Sequence, residues 1–234
     1  MRSPFILTAV SALLAAVSGM CPEPELKSQS PIDIPQLSGV PNNKNVDVAF
    51  PQTSNGVLRN EGETLKLFWD GGKGSHLNLK DKTFSALQFH FHAPSEHRVR
   101  GYQYPFEMHI VHQATDKSLA VLGVLFEVDP NDNDFLNQVW PSISQLGDKG
   151  TNVSVSNIAG STLNIGDNTG FFRYQGSLTT PPYAEGVEWT VVREVQKISQ
   201  AQLDAYTAKI AEKNAREVQP LYGRKVILYE GFGN

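Results

Sequence analysis

The chain has 234 residues, 40% hydrophobic and 19% charged, which is enough to close one large core without staples. A formal net charge of -4, from 20 basic and 24 acidic side chains, leaves no basic stripe that could neutralise phosphates, so nucleic acid is excluded as a partner. The single cysteine, Cys21, excludes a disulfide within the chain.

Met1 and Arg2 precede an apolar, alanine-rich run from Pro4 to Val17, then the small residues Ser18 and Gly19, then Pro22, Glu23 and Pro24. This layout predicts a signal peptide over 1–19, cleaved after Gly19, and one mature domain over 20–234. The competing reading is an uncleaved membrane anchor, although the run falls short of the ~20 residues of a spanning helix. Cleavage implies a secreted protein, extracellular or, in a bacterium, periplasmic, with no membrane association. Asn152-Val153-Ser154 is a glycosylation acceptor pattern, used only on a eukaryotic secretory route.

Further along, turn signals at Pro41-Asn42-Asn43, Asn55-Gly56, Asp70-Gly71-Gly72, Asp129 to Asp132 and Gly166-Asp167-Asn168 separate short β-rich runs. The predicted strands are 64–69, 85–92, 106–114, 119–128, 188–192 and 226–229. A helical pattern over 134–146 carries Phe135, Val139 and Ile143, with a kink or break at Pro141. A second runs from Ser199, a good N-cap, to Lys213, with Leu203, Tyr206 and Ile210 on one face. Many strands and few helices predict a single α+β domain on a large, mainly antiparallel sheet with short peripheral helices.

Four of the six histidines fall between 90 and 109. Strand alternation sends Gln88, His90 and His92 to one face and Phe89 and Phe91 to the other. Residues 93–105, with Pro94, Gly101 and Pro105, form a loop that turns the chain back. The next run puts Glu107, His109 and Val111 on one face and His112 on the other. If the two strands pair, His109 joins His90 and His92 as a third ligand, and a zinc ion held by three neutral imidazoles keeps a position open for water. A lone histidine is more often a core or surface residue, and His-x-His alone is evenly balanced. The third ring, with Gln88 and Glu107 beside it, favours Zn2+. His112 and His76, the latter in a polar loop, are assigned to structure.

Several separated segments then resemble the α-class carbonic anhydrases. They are Gln29 to Ile34, Gln88 to His92, Ser95-Glu96-His97, Glu107 to His112, Tyr174 to Pro182 and Asn214 to Leu221. The resemblance implies a twisted, mainly antiparallel sheet and a lyase that hydrates CO2 reversibly to bicarbonate and a proton by attack of zinc-bound hydroxide. It implies His90, His92 and His109 as zinc ligands, Gln88 oriented towards His90, and Glu107 towards His109. Thr179 corresponds to the residue that accepts a hydrogen bond from the hydroxide and donates one to Glu96. Val111, Val121, Leu178, Val187 and Trp189 correspond to the apolar wall where CO2 sits, with Thr180 beside it as a substrate contact.

Two departures stand out. Glu63 occupies the position where fast members carry a proton-shuttling histidine. A carboxylic acid is a stronger acid than imidazole and a poorer match to a donor titrating near neutrality, so proton release is expected to limit turnover. The aromatic-rich segment that family members carry before the Gln29 signature is largely missing, and Tyr183 stands where many secreted relatives have a cysteine. Competing classes are a non-catalytic zinc-containing binding or adhesion module of the same fold and a zinc-storage protein. The latter has no need of Glu96, Thr179 or the apolar wall.

Overall fold

A computed structural model describes residues 26–50, 52–70 and 74–231. The expected signal peptide, its cleavage site and Cys21 lie outside these residues. In chain order the first strands are β1 (Asp33–Ile34), β2 (Gly39–Pro41), β3 (Val46–Ala49), β4 (Ser54–Asn60), β5 (Leu65–Trp69) and β6 (His76–Leu79). The centre of the sequence supplies β7 (Lys82–His92), β8 (Arg98–Val99), β9 (Tyr102–Gln103), β10 (Phe106–Gln113) and β11 (Leu119–Asp129). After helix α1 (Asp134–Asn137) come β12 (Asn152–Ile158), β13 (Phe171–Ser177), β14 (Glu185–Val192), β15 (Gln196–Ser199), helix α2 (Gln200–Lys209) and β16 (Ile227–Glu230).

One open, twisted sheet dominates, in the order β12-β4-β5-β7-β10-β11-β14-β13-β16-β2, with β3, β6 and β15 attached to it. Its pairings are mainly antiparallel; β11 runs parallel to β14 and β15, and β16 to β2. The two central strands, β10 and β11, are buried over nearly their whole length, which is why Leu-Ala-Val-Leu-Gly-Val-Leu-Phe in β11 reads as an unbroken apolar run, while β10 buries Glu107, His109 and His112 among its apolar residues.

Each sheet face packs its own core. On one face Phe89, Phe91, Phe106, Met108, Ile110, Leu122 and Phe126 meet the helices through Phe135, Trp140 and Tyr206. On the other, Val111, Val121, Leu125, Tyr174, Trp189 and Val191 form a smaller cluster under Ile32 and Ile34. His90, His92 and His109 stand on this second face.

Several expectations change. Asn55-Gly56 does not turn but lies within β4, where Gly56 pairs with Trp69 and an added Cβ would come 2.5 Å from Leu67 Cδ2. Close strand packing, not a turn, demands that glycine. The 134–146 pattern splits into α1 and a 3₁₀ turn over Trp140–Gln145, the break falling before Pro141, which takes an N-terminal position of the second piece. Ser199 caps α2 in a capping box with Gln202, but the helix stops at Lys209, short of Lys213. The 93–105 loop contains the β8–β9 hairpin pairing, and His76 begins β6 rather than sitting in a loop.

Candidate active site and metal centre

Strands β7 and β10 pair antiparallel with His90 opposite His109 and His92 opposite Glu107. The three rings therefore converge, with centroids 5.2 Å (90 to 92), 5.4 Å (90 to 109) and 4.6 Å (92 to 109) apart. A bulge at Leu87 interrupts the ladder between the pairs Val111–Gln88 and His112–Ala86, so beyond it Ala86 rather than Leu87 is buried.

One nitrogen of each ring is already engaged. His90 Nδ1 lies 2.9 Å from Gln88 Oε1, His92 Nδ1 3.1 Å from the Asn214 carbonyl and His109 Nε2 2.9 Å from Glu107 Oε1. With these acceptors behind the rings, the free nitrogens are Nε2, Nε2 and Nδ1, and one ligand atom from each residue falls within 4.8 Å of the others. His92 Nε2 is buried without a hydrogen-bond partner. An orphaned lone pair within a neutral three-nitrogen donor set fits a zinc ion with one open position.

A second cluster, His97, Glu107 and His109, offers no such vacancy. Glu107 accepts from His109 Nε2 at 2.9 Å, His97 Nδ1 at 2.8 Å, and the backbone N–H groups of Glu96 and His97 at 2.8 and 2.9 Å. His97 Nε2 in turn meets the Tyr174 hydroxyl at 2.7 Å, and that hydroxyl donates to Ser30 Oγ at 2.9 Å. This closed network holds the third ligand from behind.

The electrostatics follow from the packing. Burial, then the neighbouring rings His92 and His109, then Lys66, hold His90 well below the usual imidazole range. Burial likewise lowers His92. Burial also pulls His109 down, but the charge and hydrogen bond of Glu107 outweigh it, and His109 ends raised. Glu107 is itself held far below the carboxylate range by His97 and His109, against the effect of burial.

Above the rings opens a cavity of about 730 Å³. Val111, Val121 and Trp189 form a row across β10, β11 and β14, directly paired by register, and Leu178 completes this apolar wall. Thr179 and Thr180 border it, and Glu63 lines the mouth. Val187 does not reach the cavity: paired with Gly176, it is buried behind the wall.

Glu96 is buried, with Oε1 accepting the Arg216 backbone N–H at 2.9 Å. Its Oε2 has no hydrogen-bond partner and lies 3.5 Å from His92 Nε2 and 3.7 Å from His109 Nδ1. The expected Thr179–Glu96 hydrogen bond is thus not made here; the free oxygen faces the metal-side nitrogens of His92 and His109.

Sequence reading missed three parts of this assembly. Asn214 orients His92 through its carbonyl and donates its amide to the Glu63 and Phe91 carbonyls, at 2.8 and 2.9 Å. His97 backs Glu107, and Lys66 enters the cavity beside His90. Asn214 and His97 lie in segments that resemble the family, but only the folded chain brings them to the rings.

A large twisted sheet with three oriented imidazoles at the floor of a half-apolar cavity defines a three-histidine metalloprotein. The model of the eukaryotic-type carbonic anhydrase family matches residues 18–230. Alpha carbonic anhydrase 3 of Arabidopsis thaliana is 36% identical over 211 residues, covering 87% of this chain and 75% of that protein. A carbonic anhydrase of Pectobacterium carotovorum is 32% identical over 204 residues, covering 86% and 80%. The α-carbonic anhydrase from Thermovibrio ammonificans, solved with the inhibitor sulfanilamide, superposes with a TM-score of 0.75 at 38% identity, covering 86% of this chain and 87% of that one. The chain belongs to the α-class carbonic anhydrase family, zinc-dependent lyases that hydrate CO2.

Proposed function

We propose that His90, His92 and His109 hold the zinc ion and that CO2 is hydrated in the cavity above them. The observation that carries this is the convergence of three buried rings whose rear nitrogens are all engaged. When bound, zinc supplies a Lewis-acid centre that makes water nucleophilic near neutral pH.

The chain's own residues do the rest. Val111, Val121, Leu178 and Trp189 give CO2 a dry surface beside the metal position, with Thr180 at its edge. Glu96, fixed through Oε1 by the Arg216 N–H, keeps Oε2 free to accept the Thr179 hydroxyl. A hydroxyl that donates to a carboxylate offers only lone pairs to its other neighbour, so it selects a nucleophile that carries hydrogen and orients it. Glu63, which lines the cavity, carries the released proton to solvent, and a carboxyl group matches a donor titrating near neutrality less well than an imidazole does, which makes that step slow.

Residues 1–19 are proposed to direct export and to be removed, leaving the domain 20–234 outside the cell or in a periplasm. The test is zinc content with CO2 hydration on the purified chain. One zinc per chain, hydration blocked by an aromatic sulfonamide, and loss of both in His109→Ala are expected. Hydration that survives His109→Ala overturns the ligand assignment. A full complement of zinc without hydration points instead to the non-catalytic module.

A further inference from the structure

The wall of the cavity opposite Val111, Val121 and Leu178 is polar, and it carries a cation that neither the fold nor the reaction described above uses. In β5, Leu65, Leu67 and Trp69 point into the core, so alternation sends Lys66 to the other face. Its register partner is His90, and it lines the cavity beside Gln88.

Among the described residues, no carboxylate lies within 4.0 Å of the Lys66 ammonium. The ammonium lies over the Phe68 ring, 6.0 Å from its centroid. Glu63 and Glu212 line the same cavity but form no ion pair with it. The other lysines differ: Lys209 donates to the Leu146 carbonyl at 2.5 Å, and Lys213 stands exposed at the rim. Lys66 is thus a half-buried cation, facing a walled space, whose counter-charge must come from solution.

We propose that Lys66 is a specificity-determining residue that draws monovalent anions, the product bicarbonate among them, into the polar half of the cavity. CO2 is neutral and bicarbonate is an anion, so a fixed cation separates the two by charge alone and leaves CO2 binding untouched. The same charge makes the enzyme sensitive to other small anions. Electrostatic attraction between unit charges about 4 Å apart in a water-filled space corresponds to about fivefold in affinity.

This rests on the three-histidine reading of the site, and the experiment separates the two. Thiocyanate binding is measured by calorimetry on zinc-loaded wild type, Lys66→Met, Lys66→Gln and Lys66→Arg, with zinc content measured on each. The expected result is a Kd about fivefold higher in the Met and Gln variants and restored to within about twofold by Arg, with the KM for CO2 unchanged. Equal Kd values in fully zinc-loaded wild type, Met and Gln variants overturn the role of Lys66. A wild type that holds neither zinc nor thiocyanate overturns the ligand assignment itself, and this proposal with it.

Discussion

Replacing Glu107 by glutamine changes one atom and is expected to cost the protein a large share of its stability. Glu107 Oε1 accepts the ring N–H groups of His109 and His97, and Oε2 accepts the backbone N–H groups of Glu96 and His97. All of these donors are buried. A glutamine oxygen can still serve two of them, but its NH2 group then faces the other two, donor against donor. A hydrogen bond to a charged group contributes about 1.5–3 kcal/mol and a stranded buried donor costs about 1–3 kcal/mol, so the loss is roughly 4–6 kcal/mol against a total of about 5–15. Urea unfolding at pH 7 with chelator present measures it, and zinc affinity is expected to fall by about 10–100-fold because His109 loses its acceptor. The folded carboxyl titrates below its unfolded value of 4.5, so the wild-type advantage is full above that pH and shrinks as pH falls towards the folded pKa. A difference under about 1 kcal/mol at pH 7, in a variant that binds zinc normally, would refute the view that this carboxylate organises the site.

Three other outcomes are expected. Thr179→Ala lowers kcat/KM for CO2 about a hundredfold while zinc content stays full, since only the orientation of the nucleophile is lost; a variant within about threefold of wild type removes Thr179 from the mechanism. Glu63→His raises turnover severalfold at low buffer concentration, and added imidazole rescues the wild type but not the variant; equal rates with no response to imidazole mean that proton release is not limiting. Burial lowers His112 to about 4, so its contribution is complete above its unfolded value of 6.5 and is lost as pH falls to 4. Between pH 7 and pH 5 that contribution falls by about 2 kcal/mol, and in His112→Gln the acid sensitivity measured by urea unfolding shrinks by that amount; an unchanged pH dependence refutes it.

What could be read from the sequence was whatever depends on a period of two. His90 and His92 share a face with Gln88, and Phe89 and Phe91 fill the core behind them, because alternation in β7 leaves no other choice. His109 needed one further fact, the pairing register, which turn chemistry alone does not fix across the 93–105 connection. The bulge at Leu87 was not legible, since nothing in Ala86-Leu87-Gln88 marks an extra residue; it becomes visible only opposite His112 and Val111. Gly56 misled for a related reason: a glycine that allows close strand packing and a glycine that allows a turn look alike in sequence. Val187 alternates correctly with Trp189, but wall or core depends on which element covers the sheet at that point. The Asn214 carbonyl is a backbone group, so no residue type announces it as an acceptor for His92.

The buried carboxylates sit close to the metal position without neutralising it, and the hydrogen-bond geometry explains how. A carboxylate bound directly as a ligand would cancel part of the ion's charge and weaken its effect on water. Glu107 is kept from that role because four N–H donors occupy both its oxygens, so its charge is spread over the network and reaches the site through His109 Nε2. Behind the other two rings stand neutral acceptors, the Gln88 amide and the Asn214 carbonyl, while burial and mutual repulsion keep His90 and His92 unprotonated. Glu96 is tied through one oxygen to the Arg216 backbone, which limits how far the other can turn. The donor set offered to a metal is therefore three imidazole nitrogens with no carboxylate among them, although two acids lie in its surroundings, and such a set would leave the ion's positive charge to act on water.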